Sequence, residues 1–259
     1  MNALARENGT YAMVAMDQRE SLRTMFRDRG FDDSDDRMRM FKTAVARELA
    51  PHASGFLIEP QFLADVRPLV PRGLIMAVDL LEQERGGIVE DTRLDEIDNV
   101  PDGVAALKLL VIWRDDERRP ERLEMCERFV ALAARHGVMS VLEPVVREDR
   151  QIVEAARELG ASRPSLYKCQ APTEGDVVAR CREITEALPV PWVVLSQGVP
   201  QDEFPLAVEH ACKGGASGFL AGRALWTNTL EADDPTELLR EQSVPRLREL
   251  AAIVDAHAT

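Results

Sequence analysis

A chain of 259 residues, 45% hydrophobic and 30% charged, can bury a large core as one domain or two small ones. Its formal net charge of -13 repels nucleic acid and anionic membranes, which excludes them as partners and means that any anionic ligand must be drawn by a local positive site. No stretch approaches the roughly 18 uninterrupted apolar residues of a membrane span, and the opening MNALARENGT has no apolar run of signal-peptide type.

In chain order, an apolar run predicts a strand at 11–16, and a stripe of Met38, Phe41, Val45 and Leu49 predicts a helix over 36–50. Strands follow at 55–58 and 74–78, then a short helical candidate at 94–99 and a strand at 105–110. Leu123, Cys126, Val130 and Ala133 share one face of a helix over 120–136, closed by Gly137. A strand at 139–142 leads to a helix over 149–159 ending at Gly160, and a strand at 165–167 to a helix over 174–188 ending before Pro189. Strand 192–195, helix 201–212, strand 217–220 and helix 235–256 complete the chain.

Strand followed by helix eight times over predicts an α/β fold, a (β/α)8 TIM barrel occupying 1–259 as a single domain. An open doubly wound sheet is the alternative. No GxGxxG follows the first strand, which counts against its dinucleotide-binding form. Cys126, Cys169, Cys181 and Cys212 are scattered without a CxxC pair and read as reduced thiols of a cytoplasmic protein.

In a β/α barrel the chemistry gathers at the C-terminal ends of the strands. Those ends carry Asp17-Gln18-Arg19, Glu59, Asp79, Lys108, Glu143, Lys168, Ser196-Gln197-Gly198 and Gly222-Arg223. Asp79 and Ser196 also suit helix N-caps. Only four of the 32 basic residues are lysines, so a lysine inside an apolar run stands out. Lys168, in Ser165-Leu166-Tyr167-Lys168-Cys169-Gln170, has no charged neighbour in sequence. Burial disfavours an ammonium, and a neutral amine attacks a ketone to form a carbinolamine and then an iminium. A salt-bridged structural lysine is the plain alternative.

Lys108 would add a second cation to the same barrel mouth, and Glu143 a carboxylate between the two lysines in strand order, suited to moving protons. The alternative for this pair is a structural ion pair. Asp17 is a further proton-transfer candidate. The turns Ser196-Gln197-Gly198 and Gly222-Arg223 follow the last two strands, where barrels commonly hold phosphate on backbone N–H groups, and Arg223 adds a guanidinium. A metal-dependent aldolase or isomerase would need a His/Asp/Glu cluster, but His52, His136, His210 and His257 fall in or beside predicted helices. A non-enzymatic regulator on the same scaffold would need Lys168 to be inert.

The blocks AMVAMDQRESLRTMF, ALKLLVIWRDDE, VLEPVVR, LYKCQAP, PWVVLSQGV and GASGFLAGRALW give the chain a resemblance, over nearly its whole length, to the class I aldolases that cleave tagatose 1,6-bisphosphate and 6-deoxy-6-sulfofructose 1-phosphate. LKLLVIWR, PWVVLS and AGRALW resemble the sulfofructose phosphate branch more. The resemblance implies metal-free, cofactor-free cleavage of a sugar phosphate to dihydroxyacetone phosphate and an aldehyde, by a homo-oligomer. It puts the Schiff-base lysine at Lys168, the second lysine at Lys108, the acid/base at Glu143 and the DQR motif at Asp17, Gln18 and Arg19. Phosphate would lie against Ser196, Gln197, Gly198, Gly222 and Arg223. Arg19, and after it Arg114, are the candidates for a sulfonate. Gln170 stands where similar proteins often carry an acidic residue, and the link between the third and fourth strands looks shorter here. Both bear on the substrate and leave the reaction class as it is.

Overall fold

The computed structural model describes residues 2–197 and 199–258. Among them the chain forms strands β1 (Tyr11–Ala15), β2 (Gly55–Ile58), β3 (Leu74–Ala77), β4 (Asp79–Gln83) and β5 (Val89–Leu94). Then come β6 (Val104–Trp113), β7 (Met139–Val146), β8 (Leu166–Gln170), β9 (Trp192–Leu195) and β10 (Gly218–Ala221). Eight of them close into a parallel barrel in the order β1-β10-β9-β8-β7-β6-β3-β2. The helices are α1 (Glu20–Asp28), α2 (Asp35–Leu49), α3 (Leu63–Val66), α4 (Arg119–Arg135) and α5 (Ile152–Gly160). They continue with α6 (Val177–Ala187), α7 (Phe204–Lys213), α8 (Arg223–Trp226), α9 (Thr236–Leu238) and α10 (Val244–His257).

Local chemistry sets these elements. The Ser34 side chain accepts a hydrogen bond from Arg37 N at 3.3 Å, and Asp35 and Asp36 occupy the first turn of α2, where the helix dipole favours negative charge. Asp176 caps α6 in the same way through Ala179 N at 3.0 Å. The predicted stripe of α2 (Met38, Phe41, Val45, Leu49) is buried.

Strand side chains alternate, and the core therefore divides into two shells. Val14, Phe56, Leu107, Leu142, Tyr167 and Val194 point outward into the layer beneath the helices. Tyr11, Met13, Ala15, Ala77, Ala106, Val141, Leu166 and Leu220 belong to a separate cluster that fills the barrel floor. Gly218, with φ 140°, lies so close to Tyr11 of β1 that a Cβ would sit 1.9 Å from its carbonyl oxygen. That contact lets β10 close the barrel.

Three expectations are corrected. No helix forms at 94–99; instead β4 and β5 make an antiparallel hairpin, Asp79 opposite Leu94, in place of the third barrel helix. The side chains of β4 alternate in exposure, a period-2 pattern, and Gly86 takes φ 73° between the two strands. β6 and β7 run past 110 and 142, staying paired as far as Trp113 and Val146, so these two staves stand taller than their neighbours. α1 is an additional helix ahead of the one that covers β1 and β2.

Candidate active site

Two-residue periodicity carries the inner face of the barrel upward from its apolar floor. Ala15, Ala77, Ala106, Val141 and Leu166 belong to the floor, and two residues beyond each stand Asp17, Asp79, Lys108, Glu143 and Lys168. Five strands thus deliver five ionisable groups to one layer. Lys108 lies within β6, inside the apolar run that carries it in the sequence, while Glu143 lies within β7 and Lys168 at the middle of β8, not at the strand ends that the sequence pattern implied.

Lys108 Nζ donates to Asp17 Oδ2 at 2.9 Å and to Asp79 Oδ1 at 3.2 Å, and lies 2.9 Å from Glu143 Oε2. The other Glu143 oxygen, Oε1, is 2.9 Å from Lys168 Nζ. Arg19 donates to the Asp79 carbonyl at 2.8 Å and to Asp79 Oδ2 at 3.0 Å. Asp17, Asp79 and Glu143 thus share Lys108, Lys168 and Arg19 as their partners.

Burial opposes the charge on Lys108, but Asp17, Asp79 and Glu143 outweigh it and hold the ammonium well above its ordinary pKa. Burial likewise pulls Glu143 up, and the nearby Lys108 and Lys168 overcome it, leaving the carboxyl below its ordinary value. Asp17 is held far below the carboxylate range by the same contest, with Lys108 the largest opposing cause. At neutral pH, Lys108 is a fixed cation.

Asp79 caps no helix. It opens β4, is buried, and accepts from Lys108, Arg19 and Leu110 N, the last at 3.3 Å. A second buried pair holds the segment after β1 from behind. Lys42, fully buried in α2, donates to the carbonyls of Met16 at 2.7 Å and Gln18 at 2.8 Å and to Glu59 Oε2 at 3.0 Å. Burial dominates here and pushes Lys42 down and Glu59 up. Sequence alone marked Glu59 only as a strand end and gave Lys42 no role. The one available signal was a lysine within the apolar stripe of a barrel helix.

The open space above the lysine layer has two compartments. A small one, about 50 Å³, is lined by Gln18, Glu143, Lys168, Ser196, Gln197, Gly222 and Arg223 among others. A larger one, about 370 Å³, reaches from Lys168, Gln197 and Arg223 past the Asp17–Lys108 layer to the tall ends of β6 and β7 and the hairpin. Leu81, Ile88, Leu110, Ile112 and Val145 give that outer part an apolar wall. Lys168 and Glu143 line both compartments.

At Gly222 a Cβ would meet Gln18 Nε2 at 2.7 Å and the Ala15 carbonyl at 2.8 Å, so a bare backbone is needed there. Gly198, expected in the same turn system, lies outside the described residues. Arg114 does not line either compartment; its guanidinium lies 4.0 Å from Asp91. The Gln170 side-chain oxygen is buried without a partner among the described residues and lines neither compartment. Among the described residues no group of three His, Cys, Asp or Glu side chains is placed to hold a metal ion. The four cysteines are free and buried, and burial pushes Cys126, Cys181 and Cys212 up to about 12. Among the described residues no helix is long and apolar enough to cross a membrane.

The pattern described as DeoC/LacD family aldolase matches residues 11–228, which take in every strand of the barrel and the whole charged layer. The chain belongs to the DeoC/LacD aldolase family. This aldolase is accordingly a lyase that acts on a carbon–carbon bond. Tagatose 1,6-diphosphate aldolase 2 of Enterococcus faecalis is 24% identical, the alignment covering 88% of this chain and 82% of that protein. Tagatose 1,6-diphosphate aldolase of Listeria monocytogenes is 22% identical over 100% of this chain and 91% of its own.

Among solved structures, an archaeal fructose-1,6-bisphosphate aldolase, described with its catalytic lysine bound to a carbinolamine, superposes with a TM-score of 0.67 at 17% identity, covering 97% of this chain and 96% of that one. Fructose-bisphosphate aldolase of Slackia heliotrinireducens gives 0.68 at 18% identity, covering 99% and 88%. Both likenesses establish the barrel of this aldolase.

Proposed function

We propose that this aldolase is a Schiff-base enzyme that cleaves a ketose 1-phosphate to dihydroxyacetone phosphate and an aldehyde. The observation that carries this reading is the Lys168 amine, buried where the two compartments join and 2.9 Å from the Glu143 carboxylate. Lys168 attacks the C2 carbonyl once its proton has passed to Glu143, giving a carbinolamine. Glu143 returns a proton to the departing hydroxyl, and water leaves to form the iminium.

A carboxylate, Glu143 or Asp17, then takes the C4 hydroxyl proton. The C3–C4 bond breaks, its electron pair passes into the iminium to give an enamine, and the aldehyde departs. Protonation at C3 and hydrolysis of the iminium release dihydroxyacetone phosphate and restore the lysine. Lys108 keeps the carboxylates ionised and in place, and its fixed charge can stabilise an oxyanion. Ser196, Gln197, Gly222 and Arg223 receive the phosphate in the small compartment, with Gln18 beside it.

The names of the curated relatives favour tagatose 1,6-bisphosphate as substrate. The sequence blocks LKLLVIWR, PWVVLS and AGRALW favour 6-deoxy-6-sulfofructose 1-phosphate, cleaved to 3-sulfolactaldehyde by the same steps. A cytoplasmic homo-oligomer is part of the same proposal. Purified enzyme should be offered both sugars and fructose 1,6-bisphosphate, with dihydroxyacetone phosphate release followed by a coupled reductase. Release from at least one, with kcat/KM ranking the three, is expected. No release from any ketose 1-phosphate would overturn the function.

A further inference from the structure

We propose that Arg147, just past the end of β7, grips the anionic group at the far end of the substrate. This deepens the ketose phosphate reading above and rests on it. With C2 at Lys168 and the C1 phosphate in the small compartment, C4 to C6 extend into the larger one. That compartment is mostly apolar at its outer end, where the tall staves and the hairpin stand.

Among the described residues lining it, the cations are Arg19, Lys108, Arg147, Lys168 and Arg223. Lys168 is the nucleophile, and Arg223 belongs to the phosphate end. Lys108 is surrounded by three carboxylates at 2.9–3.2 Å. Arg19 is committed to Asp79 by two hydrogen bonds and follows β1, the stave next to β10 and so next to the phosphate. Arg147 follows β7, three staves round from β10 and two from β9, with β8 and its Lys168 between it and the phosphate turns. Its nearest carboxylate is Glu90 of the hairpin at 3.6 Å, with the two side chains 46% and 61% exposed. A pairing that loose in water is worth little, so the guanidinium is free to turn to a better anion.

The chemistry required is a planar fork of N–H donors meeting a tetrahedral oxyanion, a phosphate or a sulfonate, at the rim of an apolar wall. Charge-assisted hydrogen bonds of this kind shift affinity by roughly 10- to 100-fold. The test compares Arg147→Gln and Arg147→Lys with the wild type on two substrates. One is the best ketose with an anionic C6, and the other is the matching ketose 1-phosphate with a C6 hydroxyl.

The expected result is a KM for the C6-anionic substrate raised roughly 10- to 100-fold in Arg147→Gln, at nearly unchanged kcat, with partial recovery in Arg147→Lys. The C6-hydroxyl substrate should change less than threefold. Equal losses on both substrates, or no change on either, would overturn the assignment. A wild type inactive on all ketose 1-phosphates is a different failure, that of the parent function.

Discussion

Lys108→Met removes one charge from the centre of the buried layer and leaves Asp17, Asp79 and Glu143 facing Lys168 and Arg19 alone. Methionine keeps much of the volume, so the penalty is electrostatic. Breaking a buried ion pair by deleting one partner typically costs about 3–5 kcal/mol. For a chain of this size that lowers Tm by roughly 10 °C.

The pH dependence carries more information than the magnitude. In the wild type Asp17 and Glu143 lie below their ordinary values. Their contribution to stability is therefore present above the unfolded carboxyl values of about 4 and is lost only as pH falls below them. Without Lys108, burial is less opposed and these carboxyls rise. A raised carboxyl gives its stability below its unfolded value and loses it as pH climbs through the folded one. Thermal unfolding followed by circular dichroism at pH 5, 6, 7 and 8 should show a steeper pH slope in the variant than in the wild type, which keeps the buried Lys42–Glu59 pair in common with it. The variant should be lower at pH 7 and gain several degrees towards pH 5. A variant within about 2 °C of the wild type, with the same pH slope, would refute the charge account of this layer.

Two more outcomes follow from the same geometry. Glu143→Gln keeps the shape of the side chain and removes its basicity, so kcat should fall roughly 10²- to 10⁴-fold with KM changed little; a fall of less than fivefold in single-turnover assays would take Glu143 out of the proton path. Lys42→Met strands the Glu59 carboxylate and the carbonyls of Met16 and Gln18, and should cost about 3–5 kcal/mol in denaturant unfolding. Adding Glu59→Leu should restore most of that stability without restoring kcat, since nothing then anchors the backbone that carries Asp17. Recovery of activity along with stability would contradict that positioning role.

Much of this arrangement was legible in the chain because a parallel barrel writes its strands as short apolar runs and gathers its chemistry at their C-terminal ends. That reading put Asp17, Lys108, Glu143 and Lys168 at one barrel mouth, and the structure added the two-residue alternation that sets them in a single layer. The hairpin β4–β5 was hidden because Asp79–Gln83 is half polar and an alternating strand–helix rhythm made a helix at 94–99 the default. Gly86-Gly87 between two short runs was the hairpin signal that this rhythm overrode. Asp79 was obscured by the same choice, since an aspartate after a strand reads as a cap when a helix is expected. Lys42 and Arg147 could not be assigned from pattern. The burial of Lys42 arises from α2 crossing the end of β1, and the freedom of Arg147 from where the hairpin carboxylate falls.

The most direct measurement is borohydride trapping with dihydroxyacetone phosphate or a cleaved ketose phosphate, followed by peptide mapping. The account predicts a single stable adduct on the peptide carrying Lys168, formed equally well in the presence of EDTA and absent from Lys168→Met. Turnover without any trapped adduct, or an adduct on Lys108 in place of Lys168, would contradict it.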